Sequence, residues 1–97
     1  INMQIKIEPL DRRHTGNLRF SHRVWVHGEH RIENFTTIRN WCWEVWGPSC
    51  ERDDAIKLFH AKNPLHNPQW AWYTDAFERY IYLVDDQALA FFKLKWL

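Results

Sequence analysis

The sequence predicts an α+β fold, a single domain over residues 1–97 with an antiparallel sheet of about four strands packed on one side by two or three helices. Three observations favour this class. Short runs within residues 3–27 and 69–84 have the alternation or the aromatic and β-branched residues that are typical of strands. The segments that follow each of these two parts of the chain carry apolar residues at helical spacing, as in residues 35–45 and 88–96. With 97 residues, 45% of them hydrophobic, the chain has the size and composition of one globular domain.

The first third of the chain is expected to form strands. Residues 3–7 alternate apolar and polar side chains, and Pro9 then ends the run because proline cannot donate a hydrogen bond to a sheet ladder. After a polar turn, residues 18–20 and 23–27 are strand-like again. The pattern therefore predicts paired strands ahead of the first helix.

Two helices are expected in the middle of the chain. Asn34 is the expected N-cap of the first, and Gly47 followed by Pro48 is a typical helix end. The apolar stripe of this helix consists of Phe35, Ile38, Cys42 and Val45. Ser49 is then expected to cap a shorter helix over residues 51–61, whose first turn is acidic.

A hairpin and a last helix are expected to complete the domain. Residues 69–73 and 79–84 are aromatic and β-branched and are separated by a short polar stretch. Asp85 is expected to cap a helix with one apolar face, formed by Ala88, Leu89, Phe92 and Trp96. Residues 92–96 also alternate with period two, which leaves a terminal strand over residues 91–97 open. The basic residues near the end favour the helix, because they suit its C-terminal turn.

The charge balance excludes several classes of partner. Thirteen basic and twelve acidic residues leave a net charge of +1, so the chain as a whole does not attract nucleic acid or anionic membranes. It contains no apolar run of about 18 residues and no recognisable signal peptide. We therefore expect no membrane association and a cytoplasmic protein.

The cysteines indicate the redox compartment of the protein, and the methionine indicates where translation starts. Cys42 and Cys50 are too few for a disulfide framework, and two free thiols are expected in a cytosolic protein. Because Met3 is the only methionine, we expect translation to start there and Ile1 and Asn2 to be cloning remnants.

The chemistry-bearing residues do not form an enzyme signature. His27 and His30 form an H-x-x-H pair, but the paired ligand spacings of zinc sites are missing. We therefore expect no metal, no cofactor and no catalytic residues. One alternative stays open. Cys50 lies at a helix start near Arg52, which would lower a thiol pKa, and His60 could act as its base.

Tryptophan is the strongest functional signal. Five of the seven tryptophans lie in two clusters, residues 41–46 and 70–72. Trp43 falls about 140° from the apolar stripe of its helix, which predicts a surface position. Trp, Tyr and Arg dominate the energetics of protein interfaces, so we expect a protein partner. The predicted contact residues are Trp43, Trp70, Trp72, Arg23 and Arg79.

Two other functions are compatible with the same residues. An exposed aromatic sheet face flanked by arginines could stack the bases of single-stranded nucleic acid. Trp70 with Trp72, and Tyr80 with Tyr82, would each share one strand face in such a platform. The competing interpretation is that one of these pairs is the core face beneath the helices. A homo-oligomer that buries its aromatic face is the remaining alternative.

Two segments of the chain are distinctive: Trp41-x-Trp43-x-x-Trp46-Gly-Pro-Ser and Phe91-Phe92-Lys93-Leu94-Lys95-Trp96. They resemble stretches of small uncharacterised proteins of tailed bacteriophages. The resemblance assigns no site residues. It implies a phage gene product that acts in the host cytoplasm, either by binding a host or phage protein or as a minor assembly component.

Overall fold

A computed structural model of the chain describes residues 3–97, and this part contains four strands and three helices. In chain order they are β1 (Gln4–Pro9), β2 (His22–His27), α1 (Arg31–Trp46), α2 (Arg52–His60), β3 (Trp70–Thr74), β4 (Arg79–Leu83) and α3 (Asp86–Trp96). This order confirms the predicted α+β class. The expectation that Ile1 and Asn2 are cloning remnants concerns residues outside the described part.

The four strands form one antiparallel sheet in the order β1-β2-β4-β3. The two central strands come from different halves of the chain, and Val24 of β2 lies opposite Ile81 of β4. The predicted hairpin is confirmed, with Trp70 opposite Leu83. Its turn is closed by Asp75, whose Oδ1 accepts hydrogen bonds from the backbone N–H groups of the two residues before Arg79, each at 2.7 Å. β1 and β3 are therefore the edges of the sheet.

Alternation along the strands gives the sheet two apolar faces. On the first face, α1 and α3 cover the core, which consists of Val24, Val26, Phe35, Ile38, Cys42, Trp70, Ile81, Leu83, Ala88, Leu89 and Phe92. On the second face, Ala55 of α2 packs in a smaller cluster with Phe20, Ala71, Tyr80 and Tyr82. Two helices thus share one side of the sheet as predicted, and the short helix α2 covers part of the other side.

The first helix begins earlier than predicted. α1 starts at Arg31, and His30 occupies the N-cap position without a side-chain cap, so the prediction of Asn34 as N-cap is wrong. Gly28 has φ of 92°, a left-handed conformation that glycine adopts easily, and it turns the chain into the helix directly after β2. The predicted end is confirmed at Gly47, whose N–H donates to the Trp43 carbonyl at 2.9 Å.

Two details of the predicted helix faces and caps are also corrected. Val45 is exposed, because it lies at the open groove between the last turn of α1 and α3 and not in the core. Ser49 does not cap α2. Its hydroxyl donates to the Trp70 carbonyl at 2.6 Å, while the Glu51 carboxylate accepts from the Asp53 N–H and caps the helix. The Ser49 hydroxyl therefore binds the backbone of β3, which lies next to it in the fold, and is not free to cap α2.

Residues 18–20 form no strand. Arg19 and Phe20 both donate backbone hydrogen bonds to the Gly16 carbonyl, at 2.9 and 2.8 Å, which makes a tight turn. This turn places the Phe20 ring against Tyr82, with 5.6 Å between ring centroids. The apolar residues of this segment therefore fill the second face of the sheet from a loop.

The end of the chain is helical. α3 extends to Trp96, so the alternative of a strand over residues 91–97 is wrong. Asp85 is the N-cap as predicted, and its Oδ1 accepts from the Ala88 N–H at 2.9 Å. Ala88, Leu89 and Phe92 then face the core, because helical spacing puts them on one side.

The cap of α3 yields a stability prediction. We expect Asp85→Ala to lower the free energy of unfolding by about 1 kcal/mol, because the Ala88 N–H loses its acceptor. Asp85→Asn keeps an acceptor oxygen and should stay close to wild type. Chemical denaturation followed by circular dichroism measures both variants. Equal losses in the two variants would show that the side-chain hydrogen bond is not what stabilises the start of α3.

Candidate functional site

The seven tryptophans, all within the described residues, differ widely in exposure. Trp43 is the most exposed, at 46%, as its position off the apolar stripe predicts. Trp70 is fully buried. The other five are half-buried, because each has one ring face or edge against the core. Trp43 is therefore the indole most accessible to another molecule.

Trp43 lines an open groove between α1 and the edge strand β3. Its ring centroid is 6.5 Å from that of Trp72, and the Arg39 guanidinium carbon lies 5.3 Å from the Trp72 centroid. Asn40 and Glu44 complete the lining, and the groove has a volume of about 590 Å³. We call these five residues the tryptophan groove. Four of them come from α1, since positions four apart on a helix lie on the same face.

Trp72 is held in place from two sides. Its backbone N–H donates to the Cys50 carbonyl at 3.3 Å, which ties the β3 edge to the segment before α2. Its ring lies 5.5 Å from the buried Trp70 ring, measured between centroids. Trp72 therefore offers a fixed aromatic wall, against which Trp43 and Arg39 pack.

The predicted contact set needs one clear correction. Trp70 lies in the core, and its Nε1–H donates to the Gly47 carbonyl at 2.9 Å. It cannot reach a partner in this fold. The physical reason is that β3 turns its tryptophan face toward α1 and α3, so only Trp72, further toward the end of the strand, reaches the surface.

The two predicted arginines lie apart from Trp43. Arg23 is on the second face of the sheet, where its Nε donates to Glu8 at 3.2 Å and its guanidinium carbon is 4.1 Å from the Tyr80 centroid. Arg79 lies at the start of β4, opposite Thr74. By strand alternation it shares the first face of the sheet with Trp72. Neither arginine lines the tryptophan groove.

Arg39 is the functional candidate that sequence reasoning missed. It precedes Trp43 by four residues, so the two side chains are neighbours on one helix face. That spacing was visible in the sequence. What the spacing could not show is that Trp72 would lie under the same guanidinium, because this contact joins α1 to a strand about thirty residues later in the chain.

The aromatic platform needed for single-stranded nucleic acid does not form on the sheet. Tyr80 and Tyr82 are buried on the second face, where the Arg52 Nη1 donates to the Tyr82 hydroxyl at 3.0 Å. Trp25 is half-buried and stacks on His27, with centroids 4.4 Å apart. Both candidate aromatic pairs therefore contribute to packing, and one half-buried tryptophan remains on this face.

Both thiols are free and unactivated. Cys42 lies in the core, and burial raises its pKa far above the ordinary value. For Cys50, burial also raises the pKa, and the charges of Asp54 and Glu51 raise it further. His60 is the last residue of α2, roughly 12 Å along the helix from its first turn. Cys50 and His60 therefore do not form the activated pair that the sequence left open.

One serine, one histidine and one carboxylate do come close together. Ser21 Oγ is 2.7 Å from the Nδ1 of His22, and Asp86 Oδ1 is 3.8 Å from the same nitrogen. In a catalytic relay the nucleophile and the carboxylate contact different ring nitrogens. This trio therefore lacks relay geometry and ties the end of the 10–21 loop to the start of α3.

Residues 3–97 contain no group of three or more His, Cys, Asp or Glu side chains placed to hold a metal ion. None of the helices in this part of the chain is both long enough and apolar enough to cross a bilayer.

Comparison with known proteins does not assign a function. The chain matches no protein-family model, no curated protein and no solved structure. A functional proposal therefore depends on the geometry of the chain itself.

The exposure of the tryptophans can be tested by collisional quenching. We expect Trp43→Phe to remove the largest quenchable part of the fluorescence, because this indole is the most exposed. Trp70→Phe should leave the acrylamide quenching constant close to that of wild type, since Trp70 is inaccessible. A Trp70→Phe variant with the larger loss of quenching would contradict the orientation of β3.

The state of the thiols can be tested by alkylation. Because a thiolate is the reactive species, a raised pKa predicts slow reaction of both cysteines at pH 7. The rate at Cys50 should climb as the pH rises toward its pKa, whereas Cys42 should react only on unfolding. Separate measurements on Cys42→Ala and Cys50→Ala distinguish the two sites. A fast reaction of Cys50 at neutral pH would revive the hypothesis of an activated cysteine.

Proposed function

We propose that this chain is a non-enzymatic binding domain that contacts a protein partner through the tryptophan groove. The observation that carries the proposal is the exposed indole of Trp43 on α1, set beside Arg39 of the same helix and Trp72 of β3. A large apolar ring in water is unfavourable, and its burial in a partner regains that free energy.

The groove has the composition of an interface hot spot. Tryptophan and arginine are enriched among the residues whose truncation weakens complexes most. The groove is also largely preformed, because Trp72 is held by the Cys50 carbonyl and by the Trp70 ring. A preformed wall loses little conformational entropy on binding, so more of the contact free energy appears as affinity.

The charges around the groove favour a protein over a polyanion. Arg39 and Glu44 are both part of its lining, and the whole chain carries a net charge of only +1. Binding to single-stranded nucleic acid needs a continuous basic track along the phosphates. A surface with one positive and one negative side chain suits the mixed charges at the rim of a protein interface.

The resemblance of the segments around Trp43 and Phe91 to tailed-bacteriophage proteins supports a setting for this activity. In that setting the chain is a phage gene product in the host cytoplasm, and its partner is a host or phage protein. The alternative is single-stranded nucleic-acid binding. The sequence predicts it on an aromatic sheet face, and since Trp70, Tyr80 and Tyr82 are buried, Trp43 would have to be the stacking ring.

Affinity capture with matched baits tests the proposal. Wild type, Trp43→Ala and Phe77→Ala are each used to capture proteins from bacterial lysates. Phe77 is a suitable control because it is an 83% exposed aromatic residue in the β3–β4 turn, outside the groove. We expect one partner to be retained by wild type and Phe77→Ala, and its affinity to fall by about tenfold or more in Trp43→Ala.

The partner is then purified and titrated directly against the three baits, after circular dichroism has shown equal folding. Failure to capture a specific partner, or equal binding by Trp43→Ala, contradicts the proposal. Titration with a fluorescent single-stranded oligonucleotide at low and high salt tests the alternative. Binding that falls steeply with salt and requires Trp43 would assign the groove to nucleic acid instead.

A further inference from the structure

α3 carries apolar residues on both of its sides. Ala88, Leu89 and Phe92 face the core, whereas Leu94 and Leu97 are 85% and 74% exposed. The outward residues Ala90, Phe91, Leu94 and Leu97 follow helical spacing, so they form a continuous stripe opposite the core side. We call these four residues the outer α3 stripe. A stripe of this kind on a surface helix is typical of a helix that packs against another element.

A groove lies beside the N-terminal half of this stripe. It has a volume of about 480 Å³ and runs between α3 and the last turn of α1. Its lining residues are Val45, Trp46, Gln69, Asp85, Gln87, Ala90, Phe91 and Leu94. Leu94, at the edge of this groove, and Leu97 project from the C-terminal end of the helix. The C-terminal end of the surface thus offers protruding side chains, and the groove that could receive them extends from Leu94 toward the start of the helix.

The charges of α3 are divided in the same way. Asp85 and Asp86 lie at its start, and Lys93 and Lys95 lie in its last turn. Asp86 and Lys93 are seven residues apart, which puts them within about 20° of each other around the helix. They therefore flank the outer α3 stripe on the same side, with opposite charges at opposite ends.

From this arrangement we propose that a second copy of the chain packs its α3 antiparallel against the first, about a two-fold axis. In that pairing Leu94 and Leu97 of each copy enter the groove between α1 and α3 of the other. The acidic start of each helix meets the basic last turn of its partner. A parallel pairing would oppose leucine to leucine and would place the charged flanks of the two helices on opposite sides of the interface, so it lacks both complementarities.

Two-fold symmetry makes this contact self-limiting. An isologous interface uses the same patch on both copies, so the association closes at a dimer. The dimer surface shares no residue with the tryptophan groove. The dimer proposal therefore does not rest on the proposed partner binding, and an experiment can contradict either proposal without affecting the other.

Sedimentation equilibrium with matched leucine variants tests the dimer. We expect wild type to approach twice the monomer mass as its concentration rises. Leu94→Asp should weaken the dimer by about tenfold or more, because it buries a charge in the partner's groove. Leu18→Asp is the control, since Leu18 is 90% exposed and lies beside Ile56 and Phe59 of α2, outside the groove and the outer α3 stripe. It should associate as wild type does, and both variants should fold normally.

Charge reversal tests the antiparallel arrangement. Lys93→Glu and Asp86→Lys should each weaken the dimer, because each opposes like charges, and the double variant should recover most of the loss. A monomeric wild type over the accessible concentration range would overturn the proposal. An assembly that grows beyond two copies, a dimer unaffected by Leu94→Asp, or a double variant weaker than both single variants would overturn it as well.

Discussion

The buried indole of Trp70 is the constraint on which the other parts of the structure depend. Its ring fills the core beneath α1, and its Nε1–H donates to the Gly47 carbonyl where α1 ends. The backbone of the same residue accepts from Ser49. Asn67 adds hydrogen bonds from its Nδ2 to the carbonyls of Trp46, Gly47 and Pro48, at 2.9, 3.2 and 2.9 Å. The end of α1 is thereby attached to the start of β3, and carbonyls that a helix end leaves unpaired find donors.

This attachment explains why one side of α1 lies at the sheet edge and the other side packs against α3. Because its last turn is fixed over β3, Trp43 lies beside Trp72 at the sheet edge. On the other side of the helix, the Trp41 ring packs against α3, with its centroid 5.8 Å from that of Trp96. Trp46 then borders the groove next to the outer α3 stripe. The tryptophan clusters thus divide between indoles packed on the core and the exposed indole of Trp43, although these residues are neighbours in the chain.

Much of the fold followed from local patterns, because those patterns act over a few residues. The end of α1 at Gly47, the β3–β4 hairpin and the Asp85 cap each depend on turn or cap residues at short spacing. The errors have one long-range and one local cause. Ser49 was available as a cap, but its hydroxyl is used by β3, and Asn34 lost its role because the turn at Gly28 starts the helix earlier.

Composition and periodicity alone established the α+β class, the order of the elements and the surface position of Trp43, since each depends on the spacing of apolar residues along one segment. Packing decided which aromatic residues are available to a partner. Period-two alternation shows that Trp70 and Trp72 share a face, but not which face the helices cover. That choice depends on contacts between residues far apart in the chain, as does the placement of Arg39 over Trp72.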